Sequence, residues 1–173
     1  MHRFIGRVFR FVTREHAPGD GSSDRQVRRK LHQTIRKVTE DFETRWHFNT
    51  SIAAIMELVN ELYLQEAKLS AQAMEETLPA LVLLLGPFAP YAAEEMWERL
   101  GRQGPVLRVP WPQYDQALAA EEQAEVVVQV NGKLRARLVV PMATPREELE
   151  RRALADPRLQ PHVAGKQVVK IVV

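Results

Sequence analysis

A single β-hairpin pattern, VVVQVNGKLRARLVV over residues 126–140 with Asn131-Gly132 at its tip, follows a long stretch in which no strand pattern occurs. Up to that point the apolar residues recur every three to four positions; here they alternate, so the chain changes from helical to strand-bearing and divides into two folding units. The fold class expected is α+β: an antiparallel helical bundle over 1–112, a linker over 113–124, and a small α/β domain over 125–173 containing the hairpin and short helices. The chain's 173 residues suit two small domains, and 45% apolar with 27% charged residues supplies both a core and a solvated shell. The longest uncharged stretch, 77–93, carries Pro79, Pro87 and Pro90 and falls short of the ~20 residues of a membrane span. The first residues, MHRFIGRVFRFV, intersperse arginine with apolar residues and lack the apolar core of a secretion signal. With no cysteine there is no disulfide and no thiolate zinc site, which is compatible with the cytoplasmic location expected here.

Phe4, Ile5, Val8, Phe9 and Val12 predict a first amphipathic helix with Arg3, Arg7, Arg10 and Arg14 largely on its wet side. Ser23 with Gln26 reads as a capping box for a helix at about 24–45, whose buried stripe is Leu31, Ile35, Val38 and Phe42. Asn49 or Thr50 is placed as the cap of a third helix ending near Ser70, with Ile52, Ile55, Met56, Val59, Leu62 and Tyr63 inward. Leu78 to Leu85, apolar on every side, suits a central helix stopped at Gly86-Pro87, and a last bundle helix runs from about Pro90 to Leu100. Gly104, Pro105, Pro110 and Pro112 then mark an extended strap, followed by an alanine-rich tether. Beyond the hairpin, Thr144-Pro145-Arg146-Glu147 reads as a capped start, Asp156-Pro157 repeats it, and 166–173 reads as a third strand.

The side-chain pattern also predicts the turn. A two-residue Asn-Gly loop pairs Val130 with Lys133 and Val128 with Arg135, placing valine and cation on one face. A three-residue loop with Gly132 as a bulge pairs Gln129 with Lys133, Val127 with Arg135 and Glu125 with Arg137, and it sorts the faces. The expected result is a covered face of Val126, Val128, Leu134, Ala136 and Leu138, opposite an outward row of Lys133, Arg135 and Arg137. Such a row fits either phosphate contact or a solubilising sheet surface.

Charge is partitioned. Residues 1–47 carry 11 basic and 6 acidic side chains (+5), 48–124 carry 4 and 11 (−7), and 125–173 carry 9 and 5 (+4), giving the whole chain's +2. The basic ends could hold a polyanion, since Lys and Arg release counterions from phosphates; alternatively, the charges are solvated faces that attract one another across the fold. The histidines at 2, 16, 32, 47 and 162 form no HExxH, and GxGxxG, GxxxxGK[ST] and GxSxG are missing from the sequence. Glu94 and Glu95 are neighbours on a helix and diverge by ~100°, so they cannot flank one bond; their place near a helix start suits the dipole instead. Trp46, Trp97 and Trp111 read as anchors of the core or of the strap, with base stacking the lesser alternative.

Five blocks, RRKLHQTIRKVTEDFE (28–43), FNTSIAAIMELVNELY (48–63), LLLGPFAPYAAEEMWERLG (83–101), VPWPQYD (109–115) and VVQVNGKLRARLVVP (127–141), resemble in order the C-terminal third of the bacterial-type leucyl-tRNA synthetase family. The tail ALADPRLQPHVAGKQVVKIVV (153–173) separates this resemblance from the isoleucyl, valyl and methionyl enzymes. The resemblance implies a class I anticodon-binding-type bundle with a tRNA-binding C-terminal domain, part of an ATP-dependent leucine-tRNA ligase. It implies no catalytic residue and no metal here: the HIGH and KMSKS motifs and the editing domain, and with them ATP and Mg, belong to a catalytic part outside this chain. The partners expected are tRNA-Leu and the rest of the synthetase chain, with no membrane and a monomeric state. The family continues past IVV with a Pro-Gly-Lys turn and one more strand, so a small domain short of its last strand is expected. The candidate RNA-binding cations are Arg28, Arg29, Lys30, Arg36 and Lys37 in the bundle, and Lys133, Arg135, Arg137, Lys166 and Lys170 in the small domain. The rival expectation is a protein-interaction module in which the acidic stretch 48–124 docks on a synthetase catalytic domain or another partner and RNA contact is incidental.

Overall fold

The computed structural model describes residues 2–44, 48–120, 123–142 and 144–164, with only the backbone of Gln123 and Ala124. The chain forms two compact units, Met1–Ala120 and Glu121–Val173. The first contains α1 (His2–Thr13), α2 (Asp24–Thr44), α3 (Phe48–Gln65), α4 (Ala71–Leu85), α5 (Pro90–Arg99) and the short α6 (Gln116–Ala119), with 3-10 turns at Glu66–Lys68 and Val106–Arg108. Each of the first five helices sends an apolar stripe into one core: Phe11 of α1, Leu31 and Ile35 of α2, Leu58 and Leu62 of α3, Leu81 and Leu84 of α4, and Met96 of α5. Side chains of this size, taken fully out of water, stabilise a fold by about 1.5–3 kcal/mol each.

Two expected helix starts are made differently. The Ser23 hydroxyl donates to Gln65 Oε1 at 2.8 Å and Gln26 donates to Glu61 at 2.6 Å, so the expected capping box gives way to bonds with α3. Asn49 and Thr50 lie inside α3, which begins at Phe48; Thr50 and Ser51 donate instead to Asp41 of α2, at 2.6 and 3.1 Å. The fourth helix begins seven residues earlier than Leu78, because Ser70 caps it by accepting from the Ala73 N–H at 3.1 Å. That helix runs through Pro79, which lacks the N–H that would bond the Glu75 carbonyl; Glu75 is exposed, so water can satisfy the orphan while Leu78, Leu81 and Val82 stay packed. The loop after α1 passes so close to the 66–68 turn that a Cβ on Gly19 would lie 2.4 Å from the Ala67 carbonyl oxygen, and the Gly19 N–H donates to Leu69 O at 2.6 Å.

Residues 113–120 are not a free tether. The Trp111 indole N–H donates to Thr39 Oγ1 at 2.9 Å, the Asp115 N–H to His32 Nδ1 at 3.1 Å and Gln33 to Ala119 O at 3.2 Å, while the Asp115 carboxylate caps α6 and Ala119 is buried. The strap is thereby stitched along α2, and the helical unit closes at Ala120 rather than at 112.

The second unit holds an antiparallel pair, β1 (Gln123–Val130) and β2 (Lys133–Pro141), followed by α7 (Arg146–Ala155) and α8 (Gln160–Val163). The expected three-residue loop is overturned: Val130 pairs with Lys133 and Gln129 with Leu134. Asn131 and Gly132 have φ of 50° and 74°, the type I′ geometry whose twist matches that of the strands. Between Val128 and Gln129 the register slips, so that Val128 faces Ala136, Val127 faces Arg137, and Arg135 is the extra residue of a β-bulge. The bulge restores valine opposite apolar partners in the body of the hairpin, as the face argument requires, but it turns the tip over. Leu134, expected on the covered face, is 49% exposed. Thr144 donates to Pro141 O at 2.6 Å rather than capping α7, whose N-cap is Pro145. The expected third strand, 166–173, lies outside the described residues.

Candidate nucleic-acid interface

The basic segment of α2 arises from two overlaid patterns. Val27, Leu31, Ile35 and Val38 take the buried stripe, which leaves Arg28, Lys30, Arg36 and Lys37 on the flanks and outer side. There Arg28 and Lys30 meet carboxylates from the acidic middle of the sequence, while Arg36 and Lys37 meet carboxylates of their own helix. Arg28 Nε lies 2.7 Å from Glu76 of α4, Lys30 Nζ 2.5 Å from Glu57 of α3, Lys37 Nζ 2.7 Å from Asp41, and Arg36 4.0 Å from Glu40 on its own helix. The pairs with exposed carboxylates, those of Arg28, Lys30 and Arg36, contribute at most about 1 kcal/mol each and exchange readily for another anion, whereas Asp41 is buried. Lys37 keeps 47% of its side chain exposed, whereas Arg28 and Lys30 keep less than a third. Arg36 and Lys37 are therefore the α2 candidates best placed to reach a phosphate without losing a helix-to-helix bond. Arg29 is half-buried on the same helix and is also engaged within the structure.

Asp41 is the anchor of this surface. Burial pushes its carboxyl upward, but hydrogen bonds from Lys37, Thr50 and Ser51 outweigh that and hold it below the ordinary carboxylate value. Asp24 is held low chiefly by the Ser70 hydroxyl, which donates at 2.6 Å, and this ties the start of α2 to the start of α4. Both carboxylates fix the helix that presents the cations.

In the small unit the predicted row of three cations is broken by the bulge. Lys133 is exposed beside the turn, Arg137 is exposed and 3.4 Å from Glu125, and Arg135, at the bulge, is half-buried with its Nε shut off from water and without an acceptor among the described residues. Lys166 and Lys170 lie outside the described residues. Trp46 does too; Trp97 is core, and Trp111, half-buried, fastens the strap through its indole N–H. Glu94 and Glu95 do not sit in the first turn of α5: Glu94 accepts from the Val106 N–H at 3.0 Å and Glu95 pairs with Arg99 at 2.8 Å.

A further cationic row lies on α1, whose arginines stand at i, i+4, i+7 and i+11 and outside the candidates named from the sequence. Arg7 lies over the Tyr63 ring at 4.4 Å and donates to Asn60, and Arg14 pairs with Glu66, while Arg3 and Arg10 are exposed with no carboxylate partner among the described residues. Among the described residues no helix is long and apolar enough to cross a membrane.

These elements define a class of chain: a helical bundle with cationic helix flanks, extended by a small α/β hairpin unit. The chain belongs to the family described as the anticodon-binding domain of tRNA ligase, whose model matches residues 24–150. It is similar to a leucine–tRNA ligase of Solibacter usitatus, 57% identical over 99% of this chain and 21% of that protein. A second leucine–tRNA ligase, from Geotalea uraniireducens, is 44% identical over 98% of this chain and 22% of its own length. Among solved structures, the LeuRS of Agrobacterium radiobacter K84, determined as a LeuRS–tRNA–LeuAMS ternary complex, matches with a TM-score of 0.74 and 34% identity over 98% of this chain and 22% of that one. The chain thus spans about a fifth of the length of the relatives it matches.

Proposed function

We propose that this chain is the tRNA-positioning C-terminal part of a leucine–tRNA ligase, holding tRNA-Leu by phosphate contacts while ATP-dependent leucylation takes place in a catalytic domain outside it. Similarity over nearly the whole chain to leucine–tRNA ligases, one of them solved with tRNA, is the observation that carries this reading. On this reading ATP and Mg2+ act in the catalytic domain outside this chain. The partners are tRNA-Leu and the remainder of the ligase, and the chain works as a monomer.

Rate enhancement by such a part comes from orientation: a tRNA fixed at several phosphates presents its acceptor end with less entropy left to lose. Arg28, Arg29, Lys30, Arg36, Lys37, Lys133, Arg135, Arg137, Lys166 and Lys170 are the proposed phosphate contacts. Each that neutralises one phosphate should, on change to Ala, reduce the salt slope of binding by about one unit. Because Arg28 and Lys30 are engaged to other helices, Arg36, Lys37, Lys133 and Arg137 should show the cleaner change. Filter binding of tRNA-Leu against an unrelated tRNA across several salt concentrations tests the reading; equal, weak binding of both, with no slope altered by any variant, would reject it.

A further inference from the structure

Asn131 and Gly132 do more than close the hairpin. An asparagine followed by glycine sets an electrophile, the amide carbon Cγ of its side chain, within reach of a nucleophile, the backbone nitrogen of the next residue, and a five-membered ring can close between them. Any side chain on that next residue crowds the approach; glycine has none. The chain's other asparagines, Asn49 and Asn60, are followed by the β-branched Thr50 and by Glu61, all within α3, and Asn60 is already engaged as the acceptor of an Arg7 hydrogen bond at 2.6 Å. At the tip nothing comparable restrains the pair. Both residues are exposed, the Asn131 side chain makes no hydrogen bond among the described residues, and nothing lies within 4 Å of where a Cβ on Gly132 would stand.

Ring closure requires the peptide to swing out of its positive-φ turn, and beyond the bulge two residue pairs, Gln129 with Leu134 and Val130 with Lys133, are what opposes that. A hairpin end held so lightly opens far more often than a helix interior. We propose that Asn131 is a site of spontaneous covalent modification. The Gly132 nitrogen gives its proton to solvent base and attacks Cγ, the bond from Cγ to the side-chain nitrogen breaks, and that nitrogen takes up a proton from solvent and leaves as ammonia. Water then opens the succinimide at Cγ to give aspartate, or at the Asn131 backbone carbonyl carbon to give isoaspartate; one water is consumed, one ammonia is released and nothing is oxidised. Either product sets a carboxylate two residues from Lys133, so the tip loses net positive charge as the protein ages. Isoaspartate also lengthens the main chain by one carbon, which changes the span on which a two-residue turn depends. The site does not depend on the tRNA reading and would stand if that reading failed.

The test incubates the whole folded chain in mildly alkaline buffer and follows each asparagine by peptide mapping and mass spectrometry, since the exchange of NH2 for OH adds one mass unit. Asn131 should convert at least about tenfold faster than Asn49 or Asn60, which react only when α3 opens, and should yield both aspartate and isoaspartate, separable by chromatography of the peptide. Gly132→Ala, whose added methyl meets no neighbour, should slow the conversion about tenfold by crowding the attacking nitrogen. A sample unfolded in urea gives the rate of the unprotected peptide. Conversion at Asn131 in urea but not in the folded chain, a folded rate no faster than that of the helical asparagines, aspartate without isoaspartate, or a rate unchanged by Gly132→Ala would each overturn the proposal.

Discussion

In the helical unit, Phe11, Leu31, Ile35, Leu58, Leu62 and Met96 are shut off from water in one cluster; in the small unit, the side chains so buried among the described residues are Ala136, Val140, Leu159 and Asp156. The bundle is held by volume, the small unit by a hairpin ladder and charge pairs such as Asp156 with Arg158 at 2.8 Å. The two should therefore fail for different reasons. A void cannot be refilled in a packed interior, whereas a lost surface pair is replaced by water.

The sharpest contrast uses one side chain type in both places. Leu58→Ala, at a fully buried position of α3, should cost about 2–5 kcal/mol, while Leu134→Ala, half-exposed near the hairpin tip, should change stability by less than about 0.5 kcal/mol. Urea unfolding of the two variants measures this, and comparable losses would remove the distinction. Next comes Asp41→Ala, which takes the shared acceptor from Lys37, Thr50 and Ser51 and should cost about 2 kcal/mol. Asp41 is held below its ordinary value of 3.8, so its contribution is complete above that pH and is lost as pH falls through the lower folded value. Asp41→Asn should accordingly flatten the acid limb of a stability-against-pH curve.

Smaller again is Gly132→Ala. Nothing lies within 4 Å of the added methyl, so the cost of about 1 kcal/mol is purely that of a positive φ, readable as a lower melting temperature of the hairpin amides by NMR. Least of all is Arg137→Gln, which breaks the exposed 3.4 Å pair with Glu125 and should shift stability by only a few tenths of a kcal/mol, detectable in a double-mutant cycle at low salt. An effect above that of Gly132→Ala would mean the small unit depends on its charges more than its geometry indicates.

The sequence was most legible where one apolar period ran uninterrupted. The stripe Leu31, Ile35, Val38 located α2 to within a residue at its C-terminal end, and the alternation through Val126 to Val140 located both strands. It was less legible where a partner distant in sequence competes with a local rule. Ser23 and Gln26 look like a cap until Gln65 and Glu61 arrive, and the apolar run Leu78 to Leu85 reads as the whole fourth helix because the packing that carries α4 through Pro79 is tertiary. The hairpin tip was misjudged because a bulge at Arg135 sorts the faces as well as a longer loop does, and side-chain pattern alone does not separate the two solutions. Cations were legible as residue types, but their carboxylate partners on α3 and α4 lie 27 and 48 residues away from Lys30 and Arg28.

The stitching of the strap along α2 sets where the chain can be trimmed. Ending it at Pro112 would take Asp115 and Ala119 from His32 and Gln33 and bare the surface that Ala119 covers, so an isolated bundle cut there should be less soluble. Ending it just after Ala120 keeps every one of those bonds, which makes that the rational place to divide the two halves for separate crystallisation or labelling.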